Sequence, residues 1–95
     1  MLNNIHPKYT LRVIPKVGRP HNPIHDTADG KIATIIDATV GKRGWIAFLS
    51  DDAMGDDTWH RLHTSPVEIV DVFQDGNITV TTKNTIYHLA PLAQR

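Results

Sequence analysis

The chain has 95 residues, enough for one domain around a single core and too few for most large enzyme folds. Ten Lys plus Arg balance ten Asp plus Glu and 40% of the residues are hydrophobic, a globular composition that excludes an intrinsically disordered chain. With no cysteine, a disulfide framework, a thiolate zinc site, a cysteine nucleophile and an iron–sulfur cluster are excluded, so any metal must be held by His, Asp or Glu.

Residues 1–7 carry no basic segment followed by an apolar run, and no apolar run approaches the roughly 18 residues of a spanning helix, so a cytoplasmic location is expected. The first strand is read from Tyr9, Leu11 and Val13 alternating with Thr10 and Arg12, with Pro15 ending it. Lys16 to Gly30 holds Gly18, Pro20, Pro23 and Gly30 and reads as one long inserted loop. Lys31 to Val40 is a second strand, and Gly41-Lys42-Arg43-Gly44 turns it into Trp45-Ile46-Ala47-Phe48-Leu49, the glycines supplying positive φ. Trp45 and Phe48 are expected on opposite faces of that strand, with Trp45 in the core. Ser50 to Asp57 is an acidic loop.

The remainder reads as a meander of short strands: Thr58 to Leu62, Val67 to Phe73, Ile78 to Thr82 and Thr85 to Leu89. Asp75-Gly76-Asn77 and Lys83-Asn84 mark its turns. Residues 91–95, like 1–7, are expected to be loosely ordered. Val67, Ile69, Asp71 and Phe73 share one face and Glu68, Val70 and Val72 the other, which predicts a strand buried on much of both faces. No window keeps helical periodicity clear of Gly, Pro and β-branched clusters, so no helix is expected. The whole is a single all-β domain spanning 1–95: a small barrel of five or six short antiparallel strands with residues 16–30 inserted.

Leu62-His63-Thr64-Ser65-Pro66-Val67-Glu68-Ile69-Val70, followed by Ile78-Thr79-Val80-Thr81-Thr82-Lys83-Asn84-Thr85-Ile86-Tyr87-His88-Leu89, resembles short proteins of phages and mobile elements that have no assigned activity. The resemblance covers about a third of the chain and implies a structural motif, Thr-Ser opening a strand and Asn-Thr-x-Tyr closing a hairpin. Gly30-Lys31-Ile32-Ala33 with Gly41-Lys42-Arg43-Gly44-Trp45-Ile46 is similar to SH3-like barrels, which implies an SH3-like fold.

Residues 1–25 carry a net charge of +4 and residues 26–57 a net charge of −4, so the basic arm either meets phosphate or an acidic partner or neutralises the acidic middle within the fold. His21, His25 and Asp26 form the one loop cluster with metal-ligating chemistry, although Pro23 between them leaves its geometry open. His60 and His63 are three apart on a strand and so face opposite ways. Ser50 and Ser65 lack the strained Gly-x-Ser-x-Gly turn of a serine nucleophile. Asp51-Asp52 and Asp56-Asp57 do not have the spacing of a calcium loop. These absences point to a non-enzymatic binding protein without a cofactor, as a monomer or small homo-oligomer. Its expected partner is another protein, a host defence or regulatory protein if the phage resemblance holds. The contact surface is assigned to Trp59, Arg61, Asp51, Asp52, Asp56 and Asp57, an aromatic and an Arg rimmed by carboxylates. The alternative is a nucleic-acid-binding module using Lys8, Arg12, Lys16, Lys42 and Arg43.

Overall fold

A computed structural model describes residues 8–18, 22–51 and 57–92, with the backbone alone for Asp51 and Asp57. Each strand segment of the sequence has one apolar face, and closing the sheet on itself buries those faces together while removing unpaired edges. Six strands do this: β1 (Tyr9–Pro15), β2 (Ile32–Asp37), β3 (Arg43–Asp51), β4 (Asp57–Val72), β5 (Ile78–Thr82) and β6 (Thr85–Pro91). They pair antiparallel in chain order and β6 closes onto β1, from Tyr9 opposite Pro91 to Pro15 opposite Thr85. The core comprises Leu11, Ala33, Ile46, Phe48, Leu62, Val67, Val80, Tyr87 and Leu89, each almost wholly buried.

β1 and β2 meet over only two residue pairs, and a short helix covers the gap. This helix, α1 (Pro23–Ala28), lies within the segment expected to be an inserted loop. The Asn22 side chain accepts a hydrogen bond from the Ile24 amide at 3.2 Å, and Pro23 starts the helix without losing a needed donor. Six residues are too few for a helix to persist alone or to show helical periodicity in sequence. Tertiary packing supplies what propensity does not: Ala28 is fully buried in the barrel core and Ile24 packs against it. Asp29 then ties the helix to β1, accepting from the Val13 amide at 2.8 Å and from Arg12 Nε at 3.2 Å.

The second departure from sequence expectation is β4. Thr58 to Leu62 and Val67 to Phe73 are two parts of one 16-residue strand, paired with β3 up to Arg43 opposite Pro66 and with β5 from Val67 onward. Thr64-Ser65 therefore lies inside this strand rather than opening one. Pro66, which has no N–H to offer a ladder, sits at the changeover between partners, and its carbonyl accepts from the Lys83 amide at 3.0 Å. An irregularity between Val67 and Ile69 shifts the inward face from Val67 to Val70. Ile69 is 52% exposed, and Val72 at the end of the strand 71%, so this part of β4 is not buried on both faces as its sequence suggests.

The glycines of the β2–β3 link also divide their roles. Gly41 has φ of 90° as a turn requires, while Gly44 lies within β3 without positive φ. A Cβ on Gly44 would lie 2.8 Å from the Asp37 carbonyl oxygen and 3.2 Å from Thr64 Oγ1, so the position demands absence of a side chain rather than an unusual backbone. At the other end of the chain, Pro91 is part of β6 and the Leu92 amide donates to the Lys8 carbonyl, so residues 91 and 92 are docked rather than loose. Residues 1–7 and 93–95 lie outside the described residues.

Candidate functional site

β3 and β4 run side by side in regular register from Trp45 opposite His63 to Asp51 opposite Asp57. Alternation along each strand sends Ile46, Phe48 and Leu62 into the barrel, so Trp45, Ala47 and Leu49 share the outer face with His63, Arg61 and Trp59. Trp45 is thus the outward residue of its strand, 36% exposed, and Phe48 is the buried one at 1%. The core assignment for Trp45 fails for this reason: opposite faces were read correctly for the pair, but only one face of β3 points inward.

The indole of Trp45 lies flat on the His63 ring, with centroids 3.9 Å apart and planes within 2°. Such a cross-strand stack fixes both rings and leaves an amphipathic plate on the surface. Two residues along β4 stands exposed Arg61, and two further on half-buried Trp59, opposite Leu49. His63 and Trp59 are about 13 Å apart along the strand. Behind this face His60 turns inward and stacks on Phe48, with ring centroids 5.5 Å apart. His60 and His63 do face opposite ways.

Of the residues assigned to the contact surface from sequence, Trp59 and Arg61 are therefore neighbours on one face. Asp51 and Asp57 face each other in the backbone register at the end of the β3–β4 pair. The side chains of Asp51 and Asp57, and all of Asp52 and Asp56, lie outside the described residues. Sequence reasoning missed Trp45 and His63 as surface partners. The signal was present in the alternation, because Phe48 inward places Trp45 outward on the same strand.

Two of the basic residues of the alternative reading are held in ion pairs. Arg12 pairs with Asp29 at 3.2 Å and Lys16 Nζ with Glu68 at 3.2 Å, both at the surface, where an ion pair contributes less than about 1 kcal/mol. These pairs join the basic arm to acids elsewhere in the same fold. Lys8 and Lys42 are exposed, and Arg43 Nε donates to the Thr64 carbonyl at 2.8 Å. In the loop cluster, His25 Nε2 lies 3.1 Å from the Tyr87 hydroxyl, with the rings edge to face at 5.8 Å. His21 lies outside the described residues. Among the described residues no three His, Asp or Glu side chains gather as a metal site.

The Thr-Ser and Asn-Thr-x-Tyr segments meet in space. Asn84 Nδ2 donates to Ser65 Oγ at 2.7 Å, and buried Thr64 Oγ1 accepts from the Gly44 amide at 2.8 Å. Thr82 Oγ1 accepts from the Thr85 amide and donates to the Thr85 carbonyl, which closes the β5–β6 turn. Among the described residues, no buried side-chain polar atom lacks a hydrogen-bond partner. Burial pushes the Tyr87 hydroxyl up to about 12, against a smaller downward pull from its hydrogen bond with Thr85. No helix among the described residues is long and apolar enough to cross a membrane. No protein-family model matches the chain, and neither does any curated protein or solved structure.

Proposed function

We propose that the protein is a non-enzymatic binding module whose partner is another protein, engaged through the outer face of β3 and β4. The observation that carries this reading is that both tryptophans stand on that face rather than in the core, with Arg61 between Trp59 and the Trp45–His63 stack. Trp and Arg are the residues most enriched where binding energy concentrates in protein interfaces, and a pre-stacked indole loses little conformational entropy on binding. Asp51 and Asp57 stand opposite each other in the backbone register at the end of the same strand pair. The resemblance to phage and mobile-element proteins supports a bacterial host protein, such as a defence or regulatory protein, as the partner, and the separate likeness of residues 30–33 and 41–46 supports an SH3-like module.

Nucleic acid is the second reading. The ion pairs of Arg12 and Lys16 favour protein over phosphate, since each paired cation is less available to displace counterions.

The test is capture of partners from bacterial host extracts by the wild type and by Trp45→Ala/Trp59→Ala, read by quantitative mass spectrometry beside thermal unfolding. The double substitution should weaken the captured complex by about 2 kcal/mol or more. Trp45→Ala alone should change unfolding stability by only about 1 kcal/mol, because its ring is an outer-face stack and not core. Lys8→Ala with Arg12→Ala should leave capture intact. Loss of capture in the basic variant with none in the tryptophan variant would overturn the reading.

A further inference from the structure

A cleft of about 340 Å³ opens where α1, the start of β3, the bend of β4 and the β5–β6 turn converge. Arg43, His63, Ser65, Asn84, His25 and Tyr87 supply its chemistry, and no carboxylate is among the described residues that line it. The volume is at the small end of the range for sites that take a metabolite-sized molecule, on the order of 300–1,000 Å³.

The groups around the cleft are hydrogen-bond donors held in place. Arg43 is anchored through Nε to the Thr64 carbonyl at 2.8 Å, and its Nη groups have no partner among the described residues. Arg43 stands opposite Pro66 in the strand register, so Ser65 lies adjacent to it. Ser65 Oγ accepts from Asn84 at 2.7 Å, which leaves its own hydroxyl hydrogen to donate. His63 is held flat by Trp45 at the rim. On the far wall His25 meets Tyr87, whose hydroxyl stays neutral throughout the physiological range, so that wall adds no negative charge.

We propose that this cleft binds a small molecule through a phosphate monoester, with the phosphate on the Arg43 Nη groups and the Ser65 hydroxyl. A fixed guanidinium favours phosphate and carboxylate alike through charge-assisted bonds. A tetrahedral phosphate presents enough oxygens to take the Arg43 Nη groups and the neighbouring Ser65 hydroxyl together. The cleft is larger than a phosphate alone, so the remainder of the ester lies between His63 and α1. Ser65 and Asn84, from the two segments of the Thr-Ser and Asn-Thr-x-Tyr pattern, thereby acquire a role besides closing the barrel.

The site requires no protein partner, so the full chain is titrated alone at constant ionic strength, by calorimetry and by backbone amide NMR. Adenosine 5′-monophosphate, inorganic phosphate and adenosine serve as probes. The monophosphate should saturate below about 1 mM and inorganic phosphate more weakly, with amide shifts confined to Arg43, His63, Ser65, Asn84 and α1. Adenosine should not bind. Arg43→Gln should weaken the monophosphate at least tenfold, on the order of 1.4 kcal/mol or more. Ser65→Ala should weaken it by a smaller factor, and stands as the test should Arg43→Gln not fold. No saturation by either phosphate up to about 10 mM, adenosine binding as well as its monophosphate, or wild-type affinity in Ser65→Ala and Arg43→Gln would each overturn the proposal.

Discussion

Gly44→Ala is expected to destabilise the barrel by about 3 kcal/mol, measured as a shift of the urea unfolding midpoint at constant slope. The added Cβ would stand 2.8 Å from the Asp37 carbonyl oxygen on one side and 3.2 Å from Thr64 Oγ1 on the other. Neither neighbour can yield cheaply. Asp37 is backbone of β2, and Thr64 is 1% exposed and holds both the Gly44 amide and the Ser65 carbonyl. Gly41, whose Cβ would meet nothing within 4 Å, is strained on substitution by its positive φ alone. Gly41→Ala should therefore cost less, about 1–2 kcal/mol. Equal effects at the two positions would mean that close approach at Gly44 is not what fixes the β2–β3–β4 junction.

Phe48→Ala is expected to cost about 3–5 kcal/mol, a large part of the stability of a domain this size. Phe48 is one of the two largest fully buried side chains, with Tyr87, and it packs on the inward face of β3 with His60 stacked against it. Its removal leaves a void that six strands hydrogen-bonded in a ring cannot collapse to fill. Trp45, three residues earlier on the same strand, should be several-fold less sensitive. If Trp45→Ala proved the more damaging of the two, the inward face of β3 would be misassigned and the outer contact face would lose its aromatic centre.

The barrel was legible in the sequence because short apolar alternations separated by Gly and Asn turns leave few other folds. Tyr9, Leu11 and Val13 read directly as a half-buried strand and Thr85 to Leu89 as a strand, and they are so. What was not legible depended on contacts distant in sequence. The α1 helix is too short to carry a period and exists because Ala28 and Asp29 dock on β1 and the core. The single strand across Pro66 is visible only once β3 and β5 are both in place to pair with its two parts. The outward shift of Ile69 follows from an irregularity that hydrophobic pattern does not encode. Trp59 and Arg61 could be picked out by composition, but their neighbours Trp45 and His63 depended on which face of β3 turned in.

If binding centres on the β3–β4 aromatics and not on neutralised phosphate, salt should weaken it little. The most direct test is the dissociation constant of the captured complex, measured from about 50 to 200 mM salt. An interface of this kind should lose affinity by no more than about tenfold over that interval, since its core is desolvated and its cations are few. A fall of about a thousandfold or more, the behaviour of a protein that displaces six or more phosphate counterions, would contradict the claim.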